Sequence, residues 1–99
     1  MKKFLVTGVA GFIGSKLAEE LLKSNYFVIG IDNLNDYYNP QLKRERLKNI
    51  NNIIVQPENW IFLEKDIKDL NSVNKIFKEY KPDVVINLAA QAGVRYSLN

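Results

Sequence analysis

Lys3-Phe4-Leu5-Val6-Thr7-Gly8-Val9-Ala10-Gly11-Phe12-Ile13-Gly14 decides the fold. A short apolar run meets three glycines at three-residue spacing, and a helical pattern follows. Phe4, Leu5 and Val6 are consecutive apolar residues, which suits a strand covered on both faces, as in a parallel sheet. Ile13, Leu17, Leu21 and Leu22 then recur at helical spacing, with Lys16, Glu19, Glu20 and Lys23 on the other face. Strand, tight turn and helix N-terminus together make an arrangement that holds a pyrophosphate. Gly8 lets the chain turn off the strand, Gly11 lets backbone approach a phosphate, and Gly14 lets the helix pack close to the sheet. Glycines that merely turn the chain are the plainer explanation of such spacing.

Outward from this stretch the pattern alternates. Ser24-Asn25 ends the first helix, and residues 26–31 read as a second strand ending at Asp32. Residues 33–40 read as loop, with Pro40 opening a short helix to about Ile50. Residues 49–58 read as a connection with a strand-like fragment at 53–55. A third strand is expected over 60–63. Val73, Ile76, Phe77 and Tyr80 then fall on one helical face, with Asn71 or Asp69 as cap. Lys81-Pro82-Asp83 breaks that helix, and 84–88 reads as the fourth strand. Strands alternating with helices imply an α/β fold with a doubly wound parallel sheet and right-handed crossovers. The order would be 3-2-1-4, with a ligand crevice at the carboxyl ends of strands 1 and 4 and strand 4 left as an edge.

Composition narrows the chemistry. Ninety-nine residues allow one domain at most, and 46% are hydrophobic, enough for a core. The chain has no cysteine and no histidine, which removes disulfides, thiolate metal sites, the commonest metal ligand and the commonest general base. No metal site is expected. A cytoplasmic location fits. No stretch reaches the ~18 apolar residues of a membrane span. The net charge of +3 is concentrated in Lys43-Arg44-Glu45-Arg46-Leu47-Lys48. No aromatic residue interleaves that run to stack on bases, so a solvated helix face is expected rather than a nucleic-acid or membrane patch.

Asp32 lies 18 positions after Gly14, at the tip of the second strand. A carboxylate there can accept the adenosine ribose hydroxyls and would repel a 2′-phosphate, favouring NAD over NADP. A turn residue beside Asn33 is the other reading. Asp66 could accept an adenine amino group while Ile67 packs on the ring, or Asp66 could cap a helix. Asn87-Leu88-Ala89-Ala90-Gln91-Ala92-Gly93 brings small residues to the end of strand 4, leaving room for a ligand or for close packing. Arg95, Tyr96 and Ser97 stand where a second ligand would lie, or in an ordinary loop.

The glycine motif, Asp32-Asn33-Leu34-Asn35-Asp36-Tyr37-Tyr38, Asp66-Ile67 and Leu88-Ala89-Ala90-Gln91-Ala92-Gly93-Val94-Arg95-Tyr96-Ser97 resemble the extended short-chain dehydrogenase/reductase family. The branch most resembled is that of NAD-dependent nucleotide-sugar epimerases of the UDP-glucuronate 4-epimerase type. The resemblance covers the whole chain but only the first part of the family's length. It implies a Rossmann-like fold and NAD contacts at Gly8, Gly11, Phe12, Ile13, Gly14, Asp32, Asn33, Asp66, Ile67, Leu88, Ala89, Ala90 and Gln91. It implies sugar-nucleotide contacts at Gly93, Val94 and Arg95. Relatives often carry histidine where Lys16 and Asn87 stand.

In this family a tyrosine of a Tyr-x-x-x-Lys pair takes the proton while hydride passes to NAD. Here Gly30 follows Tyr26 at that spacing, Gln41 follows Tyr37, Leu42 follows Tyr38 and Val84 follows Tyr80, while Tyr96 stands too near Asn99 to test. No catalytic residue is therefore assigned. Residues 1–99 are expected to form the N-terminal part of an NAD-binding domain without its substrate domain, needing a full-length context to engage a UDP-sugar. A sugar-nucleotide 4,6-dehydratase, a UDP-glucose 4-epimerase and a stand-alone NAD module are the alternatives. An unpaired apolar strand edge would invite homo-oligomers.

Overall fold

A computed structural model describes residues 2–34, 40–53 and 56–88. Their elements are β1 (Lys3–Thr7), α1 (Phe12–Lys23), β2 (Phe27–Asp32), α2 (Pro40–Ile53), a 3-10 turn (Pro57–Asn59), β3 (Trp60–Glu64), α3 (Leu70–Tyr80) and β4 (Val84–Asn87). The four strands form one parallel sheet in the order β3-β2-β1-β4, as the alternation of strands and helices implies.

Strand periodicity sorts side chains between two layers. Val6 and Val28 point to the α1–α2 face, where they bury with Val9, Ala18 and Ile50 and are flanked by Leu17, Leu21, Leu47, Trp60 and Phe62. Leu5, Ile29 and Ile31 point to the opposite face and bury against Ile76 of α3, with Leu63, Ile67 and Tyr80 around them. Each fully buried Val, Leu or Ile in these layers is worth about 1.5–3 kcal/mol over its exposed state.

Helix ends explain where the layers stop. Asn25 adopts φ 70°; its N–H donates to Leu22 O and the Tyr26 N–H to Leu21 O, at 3.0 and 3.1 Å. That pair of hydrogen bonds closes α1 at Ser24-Asn25. Asp69 caps α3 by accepting the Ser72 N–H at 3.3 Å and the Ser72 hydroxyl at 2.8 Å, and Lys81 ends the helix at φ 49°. The Ser72 hydroxyl and then its amide hold the Asp69 carboxyl below the usual carboxylate range.

Several boundaries differ from the sequence pattern. β2 begins at Phe27 and takes in Asp32, β3 extends to Glu64, and β4 closes at Asn87. Helix α2 runs through residues 49–53, so Ile53 is helical rather than part of a strand; residues 54 and 55 lie outside the described residues. Leu47 and Ile50 pack inward, and that anchorage carries the helix through a polar stretch whose local pattern is weak. Ile13, read as part of the apolar helix face, is 67% exposed, because the inner surface of the first turn is taken by Gly14 and Ser15. Within α3 only Ile76 is buried, and Phe77 of the same face stays exposed. The β4 edge leaves Val85 and Leu88 exposed as well. Among the described residues no helix is long and apolar enough to cross a membrane.

Candidate functional site

The site grows from the turn between β1 and α1. Gly8 takes φ 69°, a left-handed conformation that glycine adopts without steric cost. Its N–H donates to Ile31 O at 2.8 Å, and the Gly11 N–H folds back on Gly8 O at 3.0 Å. Helix α1 then starts against this turn. A Cβ at position 14 would stand 2.2 Å from Gly8 O and 3.0 Å from Val9 Cα, so only glycine lets the first helical turn sit this close to the loop.

The first bond inside α1 runs from the Ser15 N–H to Gly11 O at 2.9 Å. The amides of Phe12, Ile13 and Gly14 thus stand at the open end of the helix, ahead of its internal ladder. Gly11 as N-cap offers no side-chain acceptor, and the first turn contains no acidic residue. The partial positive charge of the terminus is left without an internal anion. Phe12 and Ile13 are both about two-thirds exposed, so the approach to these amides is rimmed by apolar side chains. These features fit the diphosphate of a dinucleotide.

Asp32 closes the site from the end of β2. It is 5% exposed. Its Oδ2 accepts the Ala10 N–H at 3.0 Å and its Oδ1 accepts the Leu34 N–H at 2.7 Å. One carboxylate therefore ties the glycine turn to the chain leaving β2. Leu34 is buried in a left-handed conformation at φ 58°, unusual for a leucine and held by this bond. Of the two readings of Asp32, the turn role is the one its bonds display.

Two cations from α2 complete the wall, so the basic run is not solvated throughout as its composition implies: Lys43 and Arg46 find acceptors at the turn. Lys43 Nζ meets Asp32 Oδ1 at 3.1 Å, with side-chain exposures of 17% and 2%. One turn further, an Arg46 nitrogen donates to Ala10 O at 3.3 Å, and the guanidinium lies 5.8 Å from the Phe12 ring centroid. Arg44 and Lys48 remain exposed on the outer face.

At the carboxyl ends of β1 and β4, Thr7 and Asn87 are register partners. The Thr7 hydroxyl donates to Asn87 Oδ1. The Leu88 N–H is shared between Thr7 Oγ1 at 3.0 Å and Thr7 O at 3.1 Å. Leu88 is thus fixed beside the start of the glycine turn.

The structure brings together Gly8, Gly11, Phe12, Ile13, Gly14 and Asp32, with Asn33 exposed next to it and Leu88 across β1. Asp66 and Ile67 stand beyond the end of β3. Asp66 is exposed and accepts the Lys68 N–H at 2.9 Å, and the cap of α3 is Asp69, not Asp66. Ile67 packs on the α3 side of the core. Ala89, Ala90, Gln91, Gly93, Val94 and Arg95 lie outside the described residues, as do residues 35–39.

Sheet order and glycine turn define the class: a doubly wound α/β protein of the kind built around a dinucleotide phosphate loop. Comparison with known proteins gives the family. The chain belongs to the family described as GDP-mannose 4,6 dehydratase, within the extended short-chain dehydrogenase/reductases, whose profile matches residues 5–99. It is 49% identical over 96 residues to protein CapI of Staphylococcus aureus, covering 97% of this chain and 27% of that protein. It is 48% identical over 98 residues to a UDP-glucuronate 4-epimerase of Thermodesulfobacterium geofontis, covering 99% of this chain and 29% of that protein. Among solved structures it resembles UDP-glucuronic acid 4-epimerase of Bacillus cereus, determined with a fluorinated UDP-glucuronic acid and NAD. The TM-score is 0.76 at 38% identity, over 98% of this chain and 29% of that one. The chain thus spans under a third of the length of these relatives.

Proposed function

We propose that this chain is the NAD-binding portion of a nucleotide-sugar epimerase of the UDP-glucuronate 4-epimerase type, with residues 1–99 the N-terminal part of the cofactor domain. The observation that carries this is the open N-terminus of α1, packed on the Gly8 turn and laced to Asp32. The amides of Phe12, Ile13 and Gly14 would hold the diphosphate. Asp32 and Asn33 would face the adenosine ribose, with Asp66 and Ile67 toward the adenine. Leu88, Ala89, Ala90 and Gln91 would line the other side. NAD, when bound, supplies a hydride acceptor. The chain's own residues hold and orient it, and the apolar rim of Phe12 and Ile13 limits water at the phosphates.

Gly93, Val94 and Arg95 would meet the UDP-sugar in a full-length protein. None of the testable tyrosines has its lysine partner, so the 99 residues bind cofactor without turning over sugar. A cytoplasmic location without a nucleic-acid or membrane partner is part of this proposal; the engagement of Lys43 and Arg46 at the turn supports its second half. Val85 and Leu88 on the β4 edge favour association with a further strand or a second copy. Light scattering that finds only monomer at high concentration refutes that last part.

Calorimetry with NAD tests the cofactor reading, and a coupled assay with UDP-glucuronate tests the catalytic one. Saturable NAD binding without epimerisation is the expected result. Absence of NAD binding refutes the first reading, and turnover by these 99 residues refutes the second. The dehydratase description of the family favours a second reading, a sugar-nucleotide 4,6-dehydratase with the same cofactor half. Product analysis of a full-length protein separates the two.

A further inference from the structure

The backbone of Ala10 and Gly11 is held at each of its polar groups. Ala10 is 0% exposed, and its N–H donates to Asp32 Oδ2 at 3.0 Å. The Gly11 N–H donates to Gly8 O at 3.0 Å, and Gly11 O accepts the Ser15 N–H at 2.9 Å. The remaining group, the Ala10 carbonyl, accepts an Arg46 nitrogen at 3.3 Å. The first three partners come from β2, the turn and α1; the fourth comes from α2. Arg46 makes a second contact at Phe12, whose ring centroid lies 5.8 Å from the guanidinium, within reach of a cation–π attraction. One side chain thus grips the residues on both sides of Gly11, the N-cap of α1.

The Ala10 carbonyl and the Gly11 N–H belong to one rigid plane. A plane anchored at both edges sets the direction in which the chain leaves Gly11, toward the Phe12 N–H, the first of the amides open at the helix start. Without the guanidinium the buried Ala10 carbonyl loses its acceptor role, a cost that favours rotation of the plane toward another donor and re-aims the amides behind it. We infer that Arg46 is a positioning residue for the glycine turn: through it, α2 holds the Phe12, Ile13 and Gly14 amides in the direction a diphosphate needs. The inference rests on the dinucleotide reading above. It gives Arg46 no contact with the ligand and no step in a reaction.

The test is calorimetric titration of the whole chain with NAD, for the unmodified protein, Arg46→Gln, Arg46→Lys, Phe12→Leu and the Arg46→Gln/Phe12→Leu double variant. Each is measured well below its unfolding midpoint, where lost stability alone leaves affinity unmoved. Arg46→Gln is expected to weaken NAD by about tenfold, the loss that accompanies one hydrogen bond to a charged group. Arg46→Lys, which keeps a cation and a donor for Ala10 O, should bind NAD more tightly than Arg46→Gln. Arg46→Gln should also cost less in the Phe12→Leu background than in the unmodified chain, because the two side chains share one contact. Unchanged affinity in Arg46→Gln, equal affinities in Arg46→Gln and Arg46→Lys, or strict additivity in the double variant overturns the inference. Should Arg46→Gln fail to fold by circular dichroism, Arg46→Met, which keeps the apolar stem, takes its place with the same expectations. Failure of both to fold would make Arg46 a residue of the fold alone and overturn its positioning role. An unmodified chain that does not bind NAD overturns the cofactor reading itself, whereas NAD binding indifferent to Arg46 removes only the role given to that residue.

Discussion

Replacing Gly14 by alanine sets two opposed effects against each other. Alanine is the better helix former by about 1 kcal/mol, so propensity alone makes Gly14→Ala stabilising. The added Cβ, however, would lie 2.2 Å from Gly8 O, and its other near neighbours, Gly8 C and Val9 Cα, are backbone as well. Real Cβ contacts stay beyond about 3.0 Å, so helix and turn must part by about 0.8 Å, the difference between the two distances. No side-chain rotation relieves this. Overpacking of this kind costs about 1–3 kcal/mol, and an obstruction made of backbone belongs at the upper end. The net expectation is a loss of about 1–2 kcal/mol, or a fall in Tm of about 4–16 °C for a domain of this size. Thermal unfolding followed by circular dichroism measures it. The same displacement moves the α1 amides relative to Gly8, so NAD affinity should fall with stability. A Gly14→Ala chain as stable as the original, or more so, would refute the close-packing argument and leave Gly14 a residue of convenience.

Asp32→Asn keeps the size of the side chain but leaves either the Ala10 or the Leu34 N–H facing an amide nitrogen, at a cost of about 1–3 kcal/mol for one unsatisfied buried group. Urea unfolding with an unchanged midpoint would show that the carboxylate does not lace the turn. Thr7→Val removes the hydroxyl that serves both Asn87 and the Leu88 N–H, and should cost about 1 kcal/mol. Amide exchange localised to β4 and Leu88 is the expected signature, and uniform exchange counts against it. Asp69 contributes stability to α3 that is fully present above its unfolded value of about 3.8 and is lost as pH falls through the lower folded value. An acid titration of α3 helicity should therefore flatten in Asp69→Ala. Asp69→Asn should still cap the helix but should not titrate in this range. Retention of the full acid transition in both variants refutes the assignment.

Much of this architecture was legible because it rests on local signals with one physical reading each. Phe4 to Val6 is apolar without interruption because the strand is covered on both faces, and β1 is found where that run lies. Ser24-Asn25 marks the end of α1 because asparagine accepts the left-handed turn. The association of Gly8, Gly14 and Asp32 was legible from spacing, since a strand, a turn and a helix of standard length bring the end of β2 beside the end of β1. The continuation of α2 to Ile53 was not, because tertiary anchorage of Leu47 and Ile50 outweighs an undistinguished local pattern. The packing at Gly30 was equally hidden. A Cβ there would stand 2.6 Å from the Trp60 ring and 2.8 Å from Val9 Cγ1, and neither neighbour is close in sequence.

The α2 contribution to the site is the instructive case, because its signal was present and was masked by composition. Lys43, Arg46, Leu47 and Ile50 fall at i, i+3, i+4 and i+7, one face of a helix. Ile50 buries in the core and Leu47 packs against it, which obliges the first two to point the same way. A run of mixed charges reads as solvated only while its members are counted together. Sorted by helical phase, it divides into an outer set, Arg44, Glu45 and Lys48, and two cations on the stripe that faces the sheet. Their burial is tolerable because acceptors wait for them: the Asp32 carboxylate for Lys43 and the Ala10 carbonyl for Arg46. The single inward face of α2 thus changes character along its length. It is apolar where it covers the core and cationic where it reaches the glycine turn, so the boundary between fold and site falls between Arg46 and Leu47.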